Sequence, residues 1–153
     1  MRNPFNHPAM VDISLLLARC GLGLYMLVAG WGKLNDVPGF VQNGFLPMKP
    51  GWLPESIATP YGYALPFAEL ICGLALVLGL FTRISAGLIT LMLLSIAIAV
   101  VGSKGITGGA PGPFHHSLVL MTLAFLLSIV GPGRLALDPL YFTGGGGGGG
   151  GKS

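Results

Sequence analysis

One carboxylate lies inside a long apolar stretch of this sequence. Pro66 precedes Glu69 by about one helical turn, and the apolar run continues to Arg83. At about 1.5 Å per helical residue, Glu69 would lie roughly 12 Å below a membrane surface. Its short side chain cannot reach water from that depth. We therefore expect Glu69 to be protonated, paired with a cation or exposed to a wet cavity.

A second charged side chain, Arg19, interrupts the first apolar run. Gly23, Met26 and Gly30 follow at helical spacing on the same face, and small residues there let another helix approach closely. We therefore expect Arg19 to face other helices rather than lipid. The predicted depths of Arg19 and Glu69 differ by roughly 8 Å, which an extended arginine can span in a bilayer about 30 Å thick. An Arg19–Glu69 ion pair is feasible; the alternative is an arginine that reaches the inner interface alone.

Three more polar side chains lie where apolar runs meet the membrane interface. Lys33 follows Trp31 at the end of the first run, and His115 and His116 open the last run. Adjacent histidines point about 100° apart on a helix, so they cannot bind one metal ion as i, i+4 ligands do. A histidine facing inward near Lys33 and Glu69 would handle protons, since histidine titrates near neutral pH. The alternative is a pair of interfacial residues that begin a helix.

The composition is typical of an integral membrane protein. Of 153 residues, 52% are hydrophobic and 8% are charged, against about 25% charged in soluble proteins. The net charge of +3 comes from dispersed basic residues, which argues against nucleic-acid binding. Cys20 and Cys72 stand alone in apolar runs, so we expect inert thiols and no metal site. No catalytic triad or cofactor motif is recognisable, and the sequence alone does not decide whether the protein is an enzyme.

Four apolar runs have the length of about 20 residues that a membrane-spanning helix needs. They predict an all-α integral membrane protein: a four-helix transmembrane bundle with antiparallel neighbours. The predicted spans are about 13–34, 61–82, 84–103 and 115–133. Residues 35–60 are predicted to form a long proline-rich loop over one end of the bundle, with one short helix near 37–43.

Four crossings would place both termini on the same side of the membrane. The arginines and lysines on that side slightly outnumber those on the other, which predicts a multi-pass membrane protein with cytoplasmic termini. We expect a single membrane domain over residues 1–143 and a disordered polyglycine tail over 144–153. Residues 146–153 match the phosphate-binding pattern G-x-x-x-x-G-K-S. That loop needs a strand before it and a helix after it, so we predict no nucleotide binding.

Several short motifs stand out in the predicted spans. They are RCGLG at 19–23, GWGKL at 30–34, ELICGL at 69–74 and LGLFTR at 78–83. Together they resemble the DoxX family of small four-helix membrane proteins. The loop sequence GFLP and the histidine that opens the last span fit the same family pattern. The resemblance covers about residues 13–135.

The resemblance implies a bacterial inner-membrane protein. Its relatives are described as subunits of thiosulfate:quinone oxidoreductase or of a terminal quinol oxidase system, or as parts of membrane complexes that handle thiol stress. On this basis we expect a subunit of a redox-associated, quinone- or thiol-linked complex. Its polar core (Arg19, Glu69, Lys33 and a histidine) would hold a quinone head group or relay protons, while a partner subunit supplies the redox centre. The alternative is a non-enzymatic scaffold or assembly factor whose buried charges specify helix packing. A homo-oligomer is a further expectation, and a transporter is disfavoured because no internal repeat is visible.

Overall fold

The computed structural model describes residues 8–104 and 113–137, and in these residues the fold is entirely helical, without a β-strand. The predicted polyglycine tail and its phosphate-loop match lie outside the described residues. Short helical turns follow the first long helix: α2 (Val37–Gly39), a π-helical turn (Phe40–Phe45) and a 3₁₀ turn (Leu46–Met48). The four long helices are α1 (Pro8–Leu34), α3 (Glu55–Leu78), α4 (Thr82–Lys104) and α5 (Pro113–Val130).

Three of these helices are long and apolar enough to cross a membrane. They contain the candidate spans Ala9–Leu34, Glu55–Leu78 and Thr82–Gly102, and α5 contains a shorter apolar stretch, His116–Val130. The predicted all-α membrane fold is therefore supported. The fourth crossing stays a prediction.

The connection between α1 and α3 is more helical than the sequence predicts. Helix α3 begins at Glu55 rather than Tyr61, and both Pro60 and Pro66 lie inside it. Pro60 is the sixth residue of α3, so its ring removes one intrahelical hydrogen bond, and the helix continues through it. Residues 35–54, which we call the flap, contain three consecutive helical turns instead of one short helix in a proline-rich loop.

Close backbone contact joins α1 to α3. A Cβ atom added to Gly23 would lie 2.8 Å from the carbonyl oxygen of Gly73, and one added to Gly73 would lie 2.8 Å from that of Gly23. Farther along, a Cβ atom on Gly30 would lie 2.8 Å from the carbonyl oxygen of Pro66. Glycines therefore set the distance between these two helices, as they do in many membrane helix pairs.

The predicted inward face of α1 is confirmed. Arg19 and Met26 each have an exposed fraction of 2%, and Gly23 and Gly30 are buried with them. The small side chains on this face leave room for α3, and the same packing encloses the arginine. A charge at a membrane-spanning position thus lies inside the protein, as its cost in lipid requires.

A three-residue turn connects α3 to α4. Gly79 ends α3 with a left-handed backbone (φ 71°), which glycine adopts without steric cost. Its N–H donates to the carbonyl of Leu76, and the N–H of Leu80 donates to the carbonyl of Ala75 at 2.8 Å. This Schellman arrangement satisfies the last carbonyls of α3. Helix α4 can therefore begin at once and pack against α3.

We predict that Gly73→Ala destabilises the protein in detergent, because its methyl group would clash with the backbone of α1. The free energy of unfolding should fall by about 1–3 kcal/mol, and the unfolding temperature should fall with it. Labelling of the buried Cys72 thiol during heating, in a Cys20→Ser background, measures the transition. Gly21→Ala is the control, since nothing lies within 4 Å of that position. It should leave stability unchanged or raise it slightly. Equal destabilisation by both changes would contradict the close contact.

Candidate functional site

The buried carboxylate of Glu69 forms an ion pair with Lys33. The lysine Nζ lies 2.5 Å from Oε1 and 2.6 Å from Oε2, so the ammonium bridges both oxygens. The Glu69 side chain has an exposed fraction of 3%, and that of Lys33 has 22%. Of the three states expected for Glu69, the structure shows the one paired with a cation. Lys33 is therefore the more exposed residue of the pair.

The contact between α1 and α3 positions this pair. Lys33 is in the last turn of α1, and Gly30 lies about one turn before it. A Cβ atom on Gly30 would lie only 3.2 Å from the Cβ of Glu69, so the two backbones are close beside the carboxylate. The lysine also lies over the ring of Phe40, with Nζ 5.2 Å from the ring centroid. This cation–π contact further stabilises the ammonium.

Arg19 is buried, but its guanidinium does not bond to Glu69. Its Nη1 donates to the carbonyl oxygen of Pro132 at 3.1 Å, and its Nη2 donates to that of Leu135 at 2.9 Å. The guanidinium also lies beside Gly79, where an added Cβ would be 2.7 Å from Nη1. Gly79 is about 15 Å beyond Glu69 along α3. The feasible Arg19–Glu69 pair is therefore not the one that forms, because Arg19 turns towards the other end of the helix.

The arginine holds the chain segment that follows α5, which we call the C-terminal strap (residues 131–135). Asp12 contributes a second contact by accepting a hydrogen bond from the backbone N–H of Arg134 at 3.0 Å. Gly131 and Gly133 have left-handed backbones, with φ of 92° and 72°. These two glycines let the strap turn back onto α1. The sequence signals were a Gly-Pro-Gly run and a buried arginine, but nothing in the sequence links them.

Aromatic rings lead from the ion pair to a cavity under the flap. The ring centroids of Phe40 and Phe45 are 6.3 Å apart, and those of Phe45 and Tyr61 are 5.7 Å apart. The Tyr61 hydroxyl then lies 2.5 Å from Oγ of Ser95 on α4. The cavity has a volume of about 270 Å³ and lies between the flap, α3 and α4. Phe45, Tyr61 and Ser95 form part of its wall.

His116 is not part of this cluster in the described structure. His116 is exposed at the start of α5, and no hydrogen bond joins it to Lys33 or Glu69 within the described residues. The side chain of His115 lies outside the described residues. A proton-handling role for either histidine stays a prediction. Within residues 8–104 and 113–137 no three His, Cys, Asp or Glu side chains form a group that could hold a metal ion.

Comparison with known proteins identifies the family of this chain. The family model described as DoxX matches residues 14–102, which include both Lys33 and Glu69. The chain belongs to the DoxX family. The resemblance noted in the sequence is thus confirmed.

Two curated relatives of this DoxX protein match nearly its whole length. The inner membrane protein YqjF of Escherichia coli (strain K12) is 29% identical over 132 residues, covering 84% of this chain and 92% of YqjF. The putative oxidoreductase CatD of Bacillus subtilis (strain 168) is 32% identical over 134 residues, covering 87% of this chain and 90% of CatD. No solved structure matches the chain significantly.

We predict that Lys33→Met and Glu69→Leu each destabilise the protein, while the double variant recovers most of the loss. Breaking a buried pair leaves an uncompensated charge, which costs about 3 kcal/mol or more. Lys33→Met should be the worse single change, because Glu69 has the smaller exposed fraction. The Cys72 labelling transition measures all three variants.

The matched control is Arg19→Met combined with Glu69→Leu. Sites that share no contact have additive effects, so this double variant should show no recovery. If the Arg19→Met, Glu69→Leu double variant recovered stability and the Lys33→Met, Glu69→Leu double variant did not, the pairing in the structure would be contradicted.

We also predict that Arg19→Lys loosens the C-terminal strap. A lysine keeps the charge but lacks the planar fork that donates to two carbonyl groups at once. Trypsin should then cleave after the exposed Arg134 several-fold faster than in the unchanged protein, as followed by mass spectrometry. Ser14→Ala, at an exposed position of the same helix, should leave the cleavage rate unchanged. Equal rates for Arg19→Lys and the unchanged protein would contradict the clamp.

Proposed function

We propose that this DoxX protein is the membrane subunit of a quinone- or thiol-linked redox complex, with the Lys33–Glu69 pair as its polar binding or proton-relay site. The observation that carries the proposal is this ion pair, which is enclosed between two candidate membrane spans. Charges at such positions are expensive and mark functional sites by default. The Bacillus relative, named a putative oxidoreductase, supports the redox assignment.

The pair supplies the two hydrogen-bonding functions that a quinone head group needs. A lysine ammonium has three N–H donors, and Lys33 directs its contacts with Glu69 to the two carboxylate oxygens. A remaining N–H can donate to a quinone carbonyl oxygen. The carboxylate of Glu69 can accept the proton that a hydroquinone hydroxyl releases. The 22% exposure of Lys33 gives such a ligand access to the pair.

We place the electron-transferring centre on a partner protein. The side chains around the pair are an ammonium, a carboxylate and the phenyl ring of Phe40. These groups bind, orient and move protons, but they do not carry electrons. The oxidation of two thiols to a disulfide, or of a hydroquinone to a quinone, releases two electrons and two protons. In our proposal the protons pass through Glu69 and the electrons pass to the partner.

The same proposal includes four membrane crossings. Helix α5 has 18 residues, about 27 Å at 1.5 Å per residue, and packs along α4. As a fourth crossing it would complete a bundle with antiparallel neighbours and bring both termini to the cytoplasmic side. The flap would then face the opposite side of the membrane. The Escherichia relative, named an inner membrane protein, supports the location.

A scaffold or assembly role is the second candidate. The observation in its favour is Arg19, a buried cation that binds backbone carbonyls of the C-terminal strap and therefore organises the chain. On this alternative the Lys33–Glu69 pair has the same purely structural purpose. The two candidates differ in what happens when the charge of Glu69 is removed without changing its shape.

We predict that Glu69→Gln abolishes quinone- or thiol-linked electron transfer in the complex purified from native membranes, while the helices remain folded by circular dichroism. The amide keeps the size of the side chain but cannot accept a proton. Glu55→Gln, at the exposed start of the same helix, is the control and should retain activity. Full activity in Glu69→Gln would remove the ion pair from the mechanism. Co-purification of proteins and quinone with both variants identifies the partner.

A further inference from the structure

The cavity under the flap is enclosed by three parts of the fold. Its wall residues come from the flap, from the first turns of α3 and from the middle of α4. The flap is seated at two glycines: Phe45 packs on Gly62, where an added Cβ would lie 2.9 Å from the ring, and Pro50 packs on Gly102, at 3.3 Å. The lining residues are Phe45, Lys49, Pro50, Trp52, Leu53, Ile57, Tyr61, Ser95, Ile98 and Ala99.

The size and lining of the cavity suit hydrocarbon. A cavity of about 150 Å³ lined by apolar side chains holds benzene, and this one has a volume of about 270 Å³. Aromatic and aliphatic side chains make up most of its wall. It therefore has room for a segment of an alkyl chain.

The two hydroxyl groups in the wall offer no hydrogen-bond donor to a ligand. Oγ of Ser95 donates to the carbonyl oxygen of Met92 at 2.7 Å. The proton between Ser95 and Tyr61 must therefore come from the tyrosine, so both hydroxyl protons are used within the protein. A carbonyl or phosphate oxygen of a ligand therefore finds no donor at these two hydroxyl groups. A ligand without O–H or N–H groups, such as an alkyl chain, makes no hydrogen bond there.

Lys49, which lines the same cavity, is the cationic donor available to a ligand. Its Nζ makes one hydrogen bond, to the carbonyl oxygen of Leu53 at 3.2 Å, and two N–H groups remain. No carboxylate pairs with Lys49 in the part of the chain that the structure describes. Trp52, beside it, has an exposed fraction of 74% and is of the type that lies at the headgroup level of a membrane. The cavity thus combines apolar walls with a positive charge.

From this arrangement we propose that the cavity binds one acyl chain of an anionic phospholipid, whose phosphate group contacts the ammonium of Lys49. The lipid is supplied by the membrane in which the protein lies. Its charge complements Lys49, and its alkyl chain matches the mostly apolar walls of the cavity. The site is separate from the Lys33–Glu69 pair and does not depend on the proposed redox function.

Quenching of Trp52 fluorescence tests the proposal on the full chain. A Trp31→Phe background leaves Trp52 as the single tryptophan of the two in the sequence. The protein is titrated in detergent with phosphatidylglycerol or phosphatidylcholine carrying bromine atoms on the acyl chain. We expect half-maximal quenching at an about fivefold lower mole fraction of brominated phosphatidylglycerol, the preference that one basic residue near the surface provides. Equal quenching by the two lipids would overturn the proposal.

Two substitutions separate the charge from the cavity. Lys49→Gln should reduce the phosphatidylglycerol titration to that of phosphatidylcholine. Ala99→Phe should fill the cavity, so that neither lipid quenches Trp52 at the mole fraction that was half-maximal before. Ala64→Phe, at an exposed position of α3, is the control and should leave both titrations unchanged. Circular dichroism establishes that each variant is folded. A phosphatidylglycerol preference that survives Lys49→Gln, or quenching that survives Ala99→Phe, would overturn the assignment.

Competition identifies the occupant. Unlabelled phosphatidylglycerol should relieve the quenching by its brominated form, and a short-chain quinone at the same mole fraction should not. Relief by the quinone with none by phosphatidylglycerol would show a quinone site instead. Relief by an unlabelled fatty acid as strong as that by phosphatidylglycerol would show that a free acyl anion is the ligand, and would also overturn the phospholipid assignment.

Discussion

Hydrocarbon offers no hydrogen bonds to a charge, and this constraint explains where the polar side chains of the protein lie. Glu69 is enclosed and bridged by the ammonium of Lys33, while Arg19 is enclosed and bound to two backbone carbonyls. Each charged group has hydrogen-bond partners from another part of the chain, although Nε of Arg19 is buried without one within the described residues. The polar groups therefore tie α1 to α3 at one end and α1 to the C-terminal strap at the other. The helix pairing is thus specified by polar contacts as well as by apolar packing.

The two ends differ in chemistry. At the flap end the ion pair has a partly exposed ammonium, aromatic neighbours and a nearby cavity, so small molecules can meet polar groups there. At the strap end the guanidinium is enclosed by the polypeptide itself, and its Nη1 and Nη2 donate to carbonyl oxygens. The first arrangement suits binding and proton transfer. The second suits structural support, and this difference favours the ion pair as the functional site.

Sequence reasoning predicted the helical class and the inward face of Arg19, because both follow from composition and from periodicity along one helix. It did not predict the partner of Glu69. That partner depends on how closely two helices approach and how each is rotated, and here Gly30 brings Lys33 beside the carboxylate. The predicted loop extended to residue 60, whereas α3 begins at Glu55 and contains Pro60. The strap contact joins Arg19 to residues more than a hundred positions away, and no periodic pattern reports it.

The close contact at Gly23 and Gly73 has a mechanical consequence. Because backbone meets backbone there without side chains between, α1 and α3 cannot approach further, and they form one closely packed unit. Helices α4 and α5 form a second closely packed unit, and the contact between α3 and α4 is less extensive. Relative movement is therefore easiest at the seam between the two units. The cavity has walls on both sides of that seam, so whatever fills it also sets the spacing between the two halves of the protein.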